Sequence, residues 1–263
     1  MTDVFSSHQW VRAMLRFEAE LTRAQAAAGL VPQAAAMSIL GTCKIELFDT
    51  EKLGRERSRS DGLTTPLVKN LKEMVGIFNP DAVKFVHYGA SNQDALNTAM
   101  ALVTADVLKL IRADLVSCIR SFMALAQSHL HTPMVSRALA QPMSATTFGF
   151  VSVNWAAPLV RSVSRLDAAC QQALQLYWEG ADNTVRQALA DALHLGATEA
   201  PCQPQRETWI ALGCELALVA ASMGKIANDL FQMSQFEIGE VQGLDSLGCS
   251  ACLNAAQSAP QRL

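Results

Sequence analysis

Residues 90–132 read ASNQDALNTAMALVTADVLKLIRADLVSCIRSFMALAQSHLHT, a run with neither glycine nor proline. Within it Leu102, Val103, Val107, Leu110, Ile111, Leu115, Ile119, Phe122 and Ala126 recur at steps of three and four. That spacing lays an apolar stripe along one side of a helix and leaves too little polar alternation for a strand. A helix of about 35 residues is roughly 50 Å long. A second run, 205–238, repeats the pattern with Leu212, Leu216, Val219, Ala220, Met223, Ile226, Ala227 and Leu230. Its Gly213 and Gly224 lower the local helix propensity but permit close helix packing. Residues 146–176 predict a third long helix, kinked at Pro158.

The first ninety residues differ. A helix from about His8 to Ala28 is stopped by Gly29 and Pro32, and shorter pieces follow. The predicted fold is therefore all-α. A small N-terminal helical domain (1–94) precedes part of an elongated long-helix bundle (95–242), and a divergent, disordered tail (243–263) closes the chain. The apolar faces of the long helices are wide enough to call for cover by partner chains.

Composition narrows the function. Half of the 263 residues are hydrophobic, enough for a sizeable core. A net charge of -3 with scattered Lys and Arg gives no footprint for nucleic acid or for a membrane surface. No uninterrupted apolar run reaches the roughly 18 residues of a span, and the N-terminus lacks a signal-peptide pattern. Seven cysteines without framework spacing read as free thiols in a reducing cytoplasm. Neither His129-x-His131 nor Cys249-x-x-Cys252 has the further ligands a metal site needs, so no metal is expected. Trp155 and Trp209 read as core, and Glu237 and Glu240 as a solvated helix end. No glycine-rich phosphate loop occurs.

Two segments can carry chemistry. His87-Tyr88-Gly89-Ala90-Ser91-Asn92-Gln93-Asp94 leads into the longest helix and ends its polar part at Asn97-Thr98. Gly89 permits a turn that other residues resist. Ser91, Asn92 and Asp94 suit a helix N-cap. A helix start presents free backbone N–H groups and the positive dipole end, as an anionic substrate requires. An ordinary cap explains the same residues, although four consecutive polar side chains and a nearby His exceed what a cap needs. The second segment, Thr132 to Gly149, links two long helices. Its Arg137 and Gln141 either bind an anion or decorate an exposed helix hairpin.

Together these segments resemble the fumarase/aspartase superfamily, on its 3-carboxy-cis,cis-muconate cycloisomerase branch. That family's first region reads His-x-Gly-Ala-Thr-Ser-Gln-Asp and then Asp-Thr; Ser91, Asn92 and Asn97 depart from it. Its second region has Arg-Thr, then Gln, then Thr-x-Gly. Arg137, Gln141, Thr147 and Gly149 match, and Ala138 departs. Phe17-Glu18, Ala28-Gly29-Leu30-Val31-Pro32, Pro66-Leu67-Val68-Lys69 and Glu237-Ile238-Gly239-Glu240-Val241 extend the likeness to about residue 242.

The resemblance implies a homotetramer in which each site takes its regions from three subunits. It implies proton transfer beside a carboxylate through an aci-carboxylate intermediate, on a small dicarboxylate or tricarboxylate, with no cofactor. In the cycloisomerase branch 3-carboxymuconate closes to a γ-lactone in protocatechuate breakdown. Carried over residue by residue, His87 is catalytic. Ser91, Asn92 and Gln93 hold a substrate carboxylate with Arg137 and Gln141 alongside, and Gln205-Arg206 lines the site.

The departures point to impairment. The family's third region, Gly-Ser-Ser-x-Met-Pro-His-Lys-Arg-Asn-Pro, carries the general base on a mobile loop. Here Gly248-Cys249-Ser250-Ala251-Cys252 follows, with Ser250 near the catalytic position but no Lys or His after it. The family's C-terminal domain is expected to be missing. Tyr177-Trp178-Glu179 stands where the family has Leu-Gly-Gly-Ala. Read in a shifted frame, Tyr-Trp codons must give Leu then Gly, and Ala251–Ala256 can give Met-Pro-Gln-Arg-Arg. The expectation is a frame-shifted, truncated coding sequence and an inactive lyase-like chain. Two alternatives are a non-catalytic helical remnant that only self-associates and another superfamily lyase such as an adenylosuccinate lyase. Leu139 opposes the latter, which places a His there.

Overall fold

A computed structural model describes residues 2–56, 62–138, 141–197 and 206–241. Eight α-helices and one two-stranded ribbon occur among them. α1 (Ser7–Ala27) is capped by Ser6, whose Oγ accepts from the Gln9 N–H, and the chain leaves it through Gly29 at φ 76°. α2 (Gln33–Thr42) and α3 (Thr50–Glu56) pack against it, and α4 (Thr64–Phe78) packs against α2 and α3. α5 (Asn92–Ser128) is the long helix that the glycine-free run predicts, 37 residues or about 55 Å.

The link after α5 departs from expectation. Instead of a plain connection between helices, β1 (Pro133–Ala138) and β2 (Gln141–Thr147) pair antiparallel, from Pro133 opposite Thr147 to Ala138 opposite Gln141, with an irregularity between Val135 and Arg137. Pro133 and Pro142 bar a helix here, and the ribbon satisfies backbone groups that a loose link would leave to water. α6 (Phe148–Ala173) follows, with Pro158 inside it. α7 (Asn183–Leu193) and α8 (Glu207–Met233) complete the order.

Two apolar cores result. One joins α1, α2 and α4 to the first turns of α5, Ala95 to Val103, and receives Leu176, Trp178 and the α7 residues Val185 and Leu189. The other starts at Leu108 and joins α5, α6 and α8 around Trp155, with α6 touching both neighbours. The change of core falls within α5, between Val103 and Leu108. Most of the predicted α5 stripe is buried or packed against these cores, but Leu110 faces out, half exposed.

α8 buries a single seam, Leu212, Val219, Ile226 and Met233, at a strict spacing of seven. One residue per two turns is fully buried, Leu216, Met223 and Leu230 pack partly buried beside the seam, and Ile210, Leu218 and Phe231 stay exposed. By length and composition α8 is the one described helix apolar enough to cross a membrane, with mean hydropathy 1.6 over its most apolar window. The unbroken-run reading of the sequence passed over it because charged residues interrupt it. Arg165 of α6 donates to Glu215 of α8 at 2.8 Å, and Trp155 Nε1 donates to Asp229 at 2.7 Å, so polar contacts tie α8 to its neighbour.

Candidate active site

The loop before α5 is built from two left-handed residues, His87 at φ 60° and Gly89 at φ 63°. Glycine adopts this geometry freely; a histidine does so at a cost of about 1–3 kcal/mol, so surrounding contacts must hold it. They are present. Gln25 of α1 donates to the Tyr88 carbonyl at 2.7 Å, and Trp178 Nε1 donates to the Gly89 carbonyl at 2.9 Å. Glu18 Oε1 of α1 lies 2.5 Å from His87 Nδ1, with both side chains at least nine-tenths buried.

Ser91 then caps α5. Its Oγ accepts from the Asp94 N–H at 3.1 Å while Asp94 Oδ2 accepts from the Ser91 N–H at 2.8 Å, a reciprocal capping box. The cap reading and the ligand reading therefore share Ser91. Asn92 and Gln93 are exposed beside it, and their N–H groups belong to the turn that a helix leaves without carbonyl partners. Asn92 donates to Thr65 Oγ1 at 3.0 Å, and Gln93 to Asn97 Oδ1 at 2.8 Å. Arg206, at the start of α8, reaches the same Asn97 oxygen at 3.5 Å. Asn97 Nδ2, Glu18 Oε2 and His87 Nε2 are buried without a protein partner. The Arg206 guanidinium, the first-turn amides and the unpartnered Asn97 Nδ2 are donors at one helix start, chemistry suited to a carboxylate, while Glu18 Oε2 is itself an acceptor.

Tyr177 and Trp178, the pair that departs from the family pattern, are built into this support. Thr98 donates to the Tyr177 carbonyl at 3.1 Å, and Trp209 Nε1 donates to the Tyr177 hydroxyl at 2.7 Å. Trp209 is thus a partly buried bracket rather than plain core, whereas Trp155 is core. Cys43 is partly buried near Glu18, and desolvation, reinforced by the Glu18 charge, pushes its thiol well up from the ordinary range.

Arg137 and Gln141 are elsewhere. They sit on the ribbon past the C-terminal end of α5, about a 55 Å helix away from Ser91. One copy of the chain does not bring the two regions together. Arg137 instead donates both arms of its guanidinium to Glu240, each at 2.8 Å, so Glu240 is paired and not merely solvated. Arg137 borders a cleft of about 250 Å³ that Ser136, Asn154, Lys225 and Asp229 also line. His129 is committed to Thr132 and to an edge contact with Phe148. No group of three potential metal ligands occurs among the described residues. Gln205, Ser250, Cys249, Cys252 and the 243–263 tail lie outside them.

Sequence reading missed Glu18, Gln25, Thr65 and Trp178. Glu18 left one signal: it falls on the apolar stripe of α1, where a charge must find a partner.

The family model described as lyase matches residues 1–248. The 3-carboxy-cis,cis-muconate cycloisomerase of Bradyrhizobium diazoefficiens is 37% identical, over 86% of this chain and 52% of that protein. Nitrosuccinate lyase of Streptomyces davaonensis is 34% identical over 90% of this chain and 53% of its own length. The crystal structure of the 3-carboxy-cis,cis-muconate lactonizing enzyme from Pseudomonas putida superposes with a TM-score of 0.89 at 34% identity, covering 96% of this chain and 59% of that one. The chain spans between half and three fifths of these relatives. A lyase-family match along nearly the whole sequence, a shared fold and the loop before α5 agree: the chain belongs to the fumarase/aspartase superfamily of lyases, on the 3-carboxy-cis,cis-muconate cycloisomerase branch.

Proposed function

We propose that this chain contributes two parts of a lyase site that acts on a small dicarboxylate or tricarboxylate, of which 3-carboxy-cis,cis-muconate in protocatechuate breakdown is the leading candidate. The supporting observation is the convergence of His87, Asn92, Gln93 and Arg206 at the α5 start. In the cycloisomerase reaction a substrate carboxylate oxygen adds across a carbon–carbon double bond and the neighbouring carbon receives a proton. The loop would hold a second carboxylate still during that step.

The site is shared between copies in a cytoplasmic homo-oligomer, a tetramer by family analogy. Its support is the separation of the α5 start from Arg137 and Gln141, together with the uncovered flanks of α8. A second reading, a frame-shifted remnant without turnover, is favoured by Tyr177-Trp178-Glu179, which departs from the family pattern inside an otherwise matching stretch. Purified protein and 3-carboxy-cis,cis-muconate decide between them. On the remnant reading the substrate's absorbance stays constant while the chain self-associates in sedimentation. Turnover at an ordinary enzymatic rate overturns the remnant reading, and a clean monomer overturns the shared site.

A further inference from the structure

α1 carries an acid where its apolar stripe continues. Val11, Met14, Leu15, Glu18 and Leu21 follow at steps of three, one, three and three, and all are buried, Glu18 at 1% exposure. A carboxyl so placed needs a polar partner. It has one, His87 Nδ1, 69 residues later. Two helical turns on, Gln25 holds the next residue of the loop through the Tyr88 carbonyl. α1 therefore grips two consecutive loop residues from one face. This fixes both the backbone and the ring of a histidine in a conformation it does not favour by itself.

The chemistry of the pair is asymmetric. A carboxylate only accepts hydrogen bonds, so the ring atom that faces it carries the proton. A neutral imidazole has a single N–H, and the other nitrogen is then a bare acceptor. That other nitrogen, His87 Nε2, is buried with no protein partner. Cys43, the other ionisable group near Glu18, is kept protonated by burial and contributes no competing charge.

We infer that Glu18 is the positioning residue of His87: it keeps the ring proton on Nδ1 and leaves Nε2 a bare acceptor towards the ligand site at the α5 start. This rests on the reading of that helix start as a ligand site. A bracing role alone would require the contact but not the placement of the proton, and the two differ in what nitrogen spectroscopy sees.

The test uses the full chain with ¹⁵N-labelled histidine, free of ligand, above the ordinary imidazole titration range. Long-range proton–nitrogen correlation reads each ring nitrogen as protonated or bare, with His87→Asn giving the assignment. The expected result is a protonated Nδ1 in the wild type. In Glu18→Leu the proton moves to Nε2, the tautomer that a free imidazole prefers. Glu18→Gln, whose amide oxygen still accepts, keeps the wild-type pattern and serves if the leucine variant does not fold. A bare Nδ1 in the wild type, or an unchanged spectrum in a folded Glu18→Leu, overturns the inference.

Titration with tricarballylate then separates the two readings. The wild-type Nε2 resonance is expected to move as the anion approaches, and Glu18→Leu, whose Nε2–H can donate to a carboxylate oxygen, to bind about tenfold more tightly, the gain of roughly one hydrogen bond. A protonated Nδ1 whose Nε2 ignores the probe overturns the ligand-site reading while the tautomer assignment stands.

Discussion

Trp178 donates its indole N–H to the carbonyl of Gly89, 89 residues earlier, across 2.9 Å. The indole is 3% exposed, whereas Gly89 itself is exposed, so water can reach the carbonyl if the donor is lost. Trp178→Phe keeps the ring and removes the donor. The expected cost is about 1 kcal/mol, the net worth of one hydrogen bond. Denaturant unfolding measures it, and an unchanged midpoint would show that the loop does not lean on α7's side of the core.

Ser91→Ala removes half of the capping box at the start of α5. About 1 kcal/mol of stability should be lost. If Ser91 only caps, tricarballylate affinity will fall no further than the loosened helix start explains. Restoring an acceptor with Ser91→Asp separates the roles. It should recover stability but weaken binding, because it places a carboxylate where the anion would sit.

The flanks of α8 give a test of association. Ile210 and Phe231 are 64% and 48% exposed in the single chain. Replacing both with serine touches neither core, so the isolated fold should keep its unfolding midpoint within about 0.5 kcal/mol. The sedimentation coefficient should fall toward that of the monomer. Ile226→Ala, on the buried seam, is expected to behave differently and to cost about 2–5 kcal/mol.

Cys43 and Cys214 should part company with pH. Cys214 is exposed, and burial pushes the Cys43 thiol well up. Alkylation at mildly alkaline pH is expected to label Cys214 and spare Cys43 in the folded chain. The stability consequence has a definite sign. A pKa raised on folding stabilises the fold fully below the unfolded thiol pKa of 9.0, and that contribution fades as pH rises above it. Peptide mapping after labelling reads the first effect, and urea midpoints against pH read the second.

The sequence by itself determined the helices. An unbroken run from 90 to 132 without glycine or proline, a Ser91–Asp94 cap and a Gly29 stop are local signals, and helix formation is decided within a few turns. The lyase ancestry was also legible, because the loop before α5 keeps its residue types in order. Other features were not. The ribbon at 133–147 needed strand pairing, and its strands are too short to announce themselves by alternation. Only the tertiary structure set Glu18 against His87, Trp178 against Gly89 and Arg137 against Glu240, across 69, 89 and 103 residues of chain. It also put Arg137 a helix length from Ser91 within one copy of the chain. The physical reason is that periodicity reports which way a side chain faces along its own element, while the identity of its partner depends on how the elements pack.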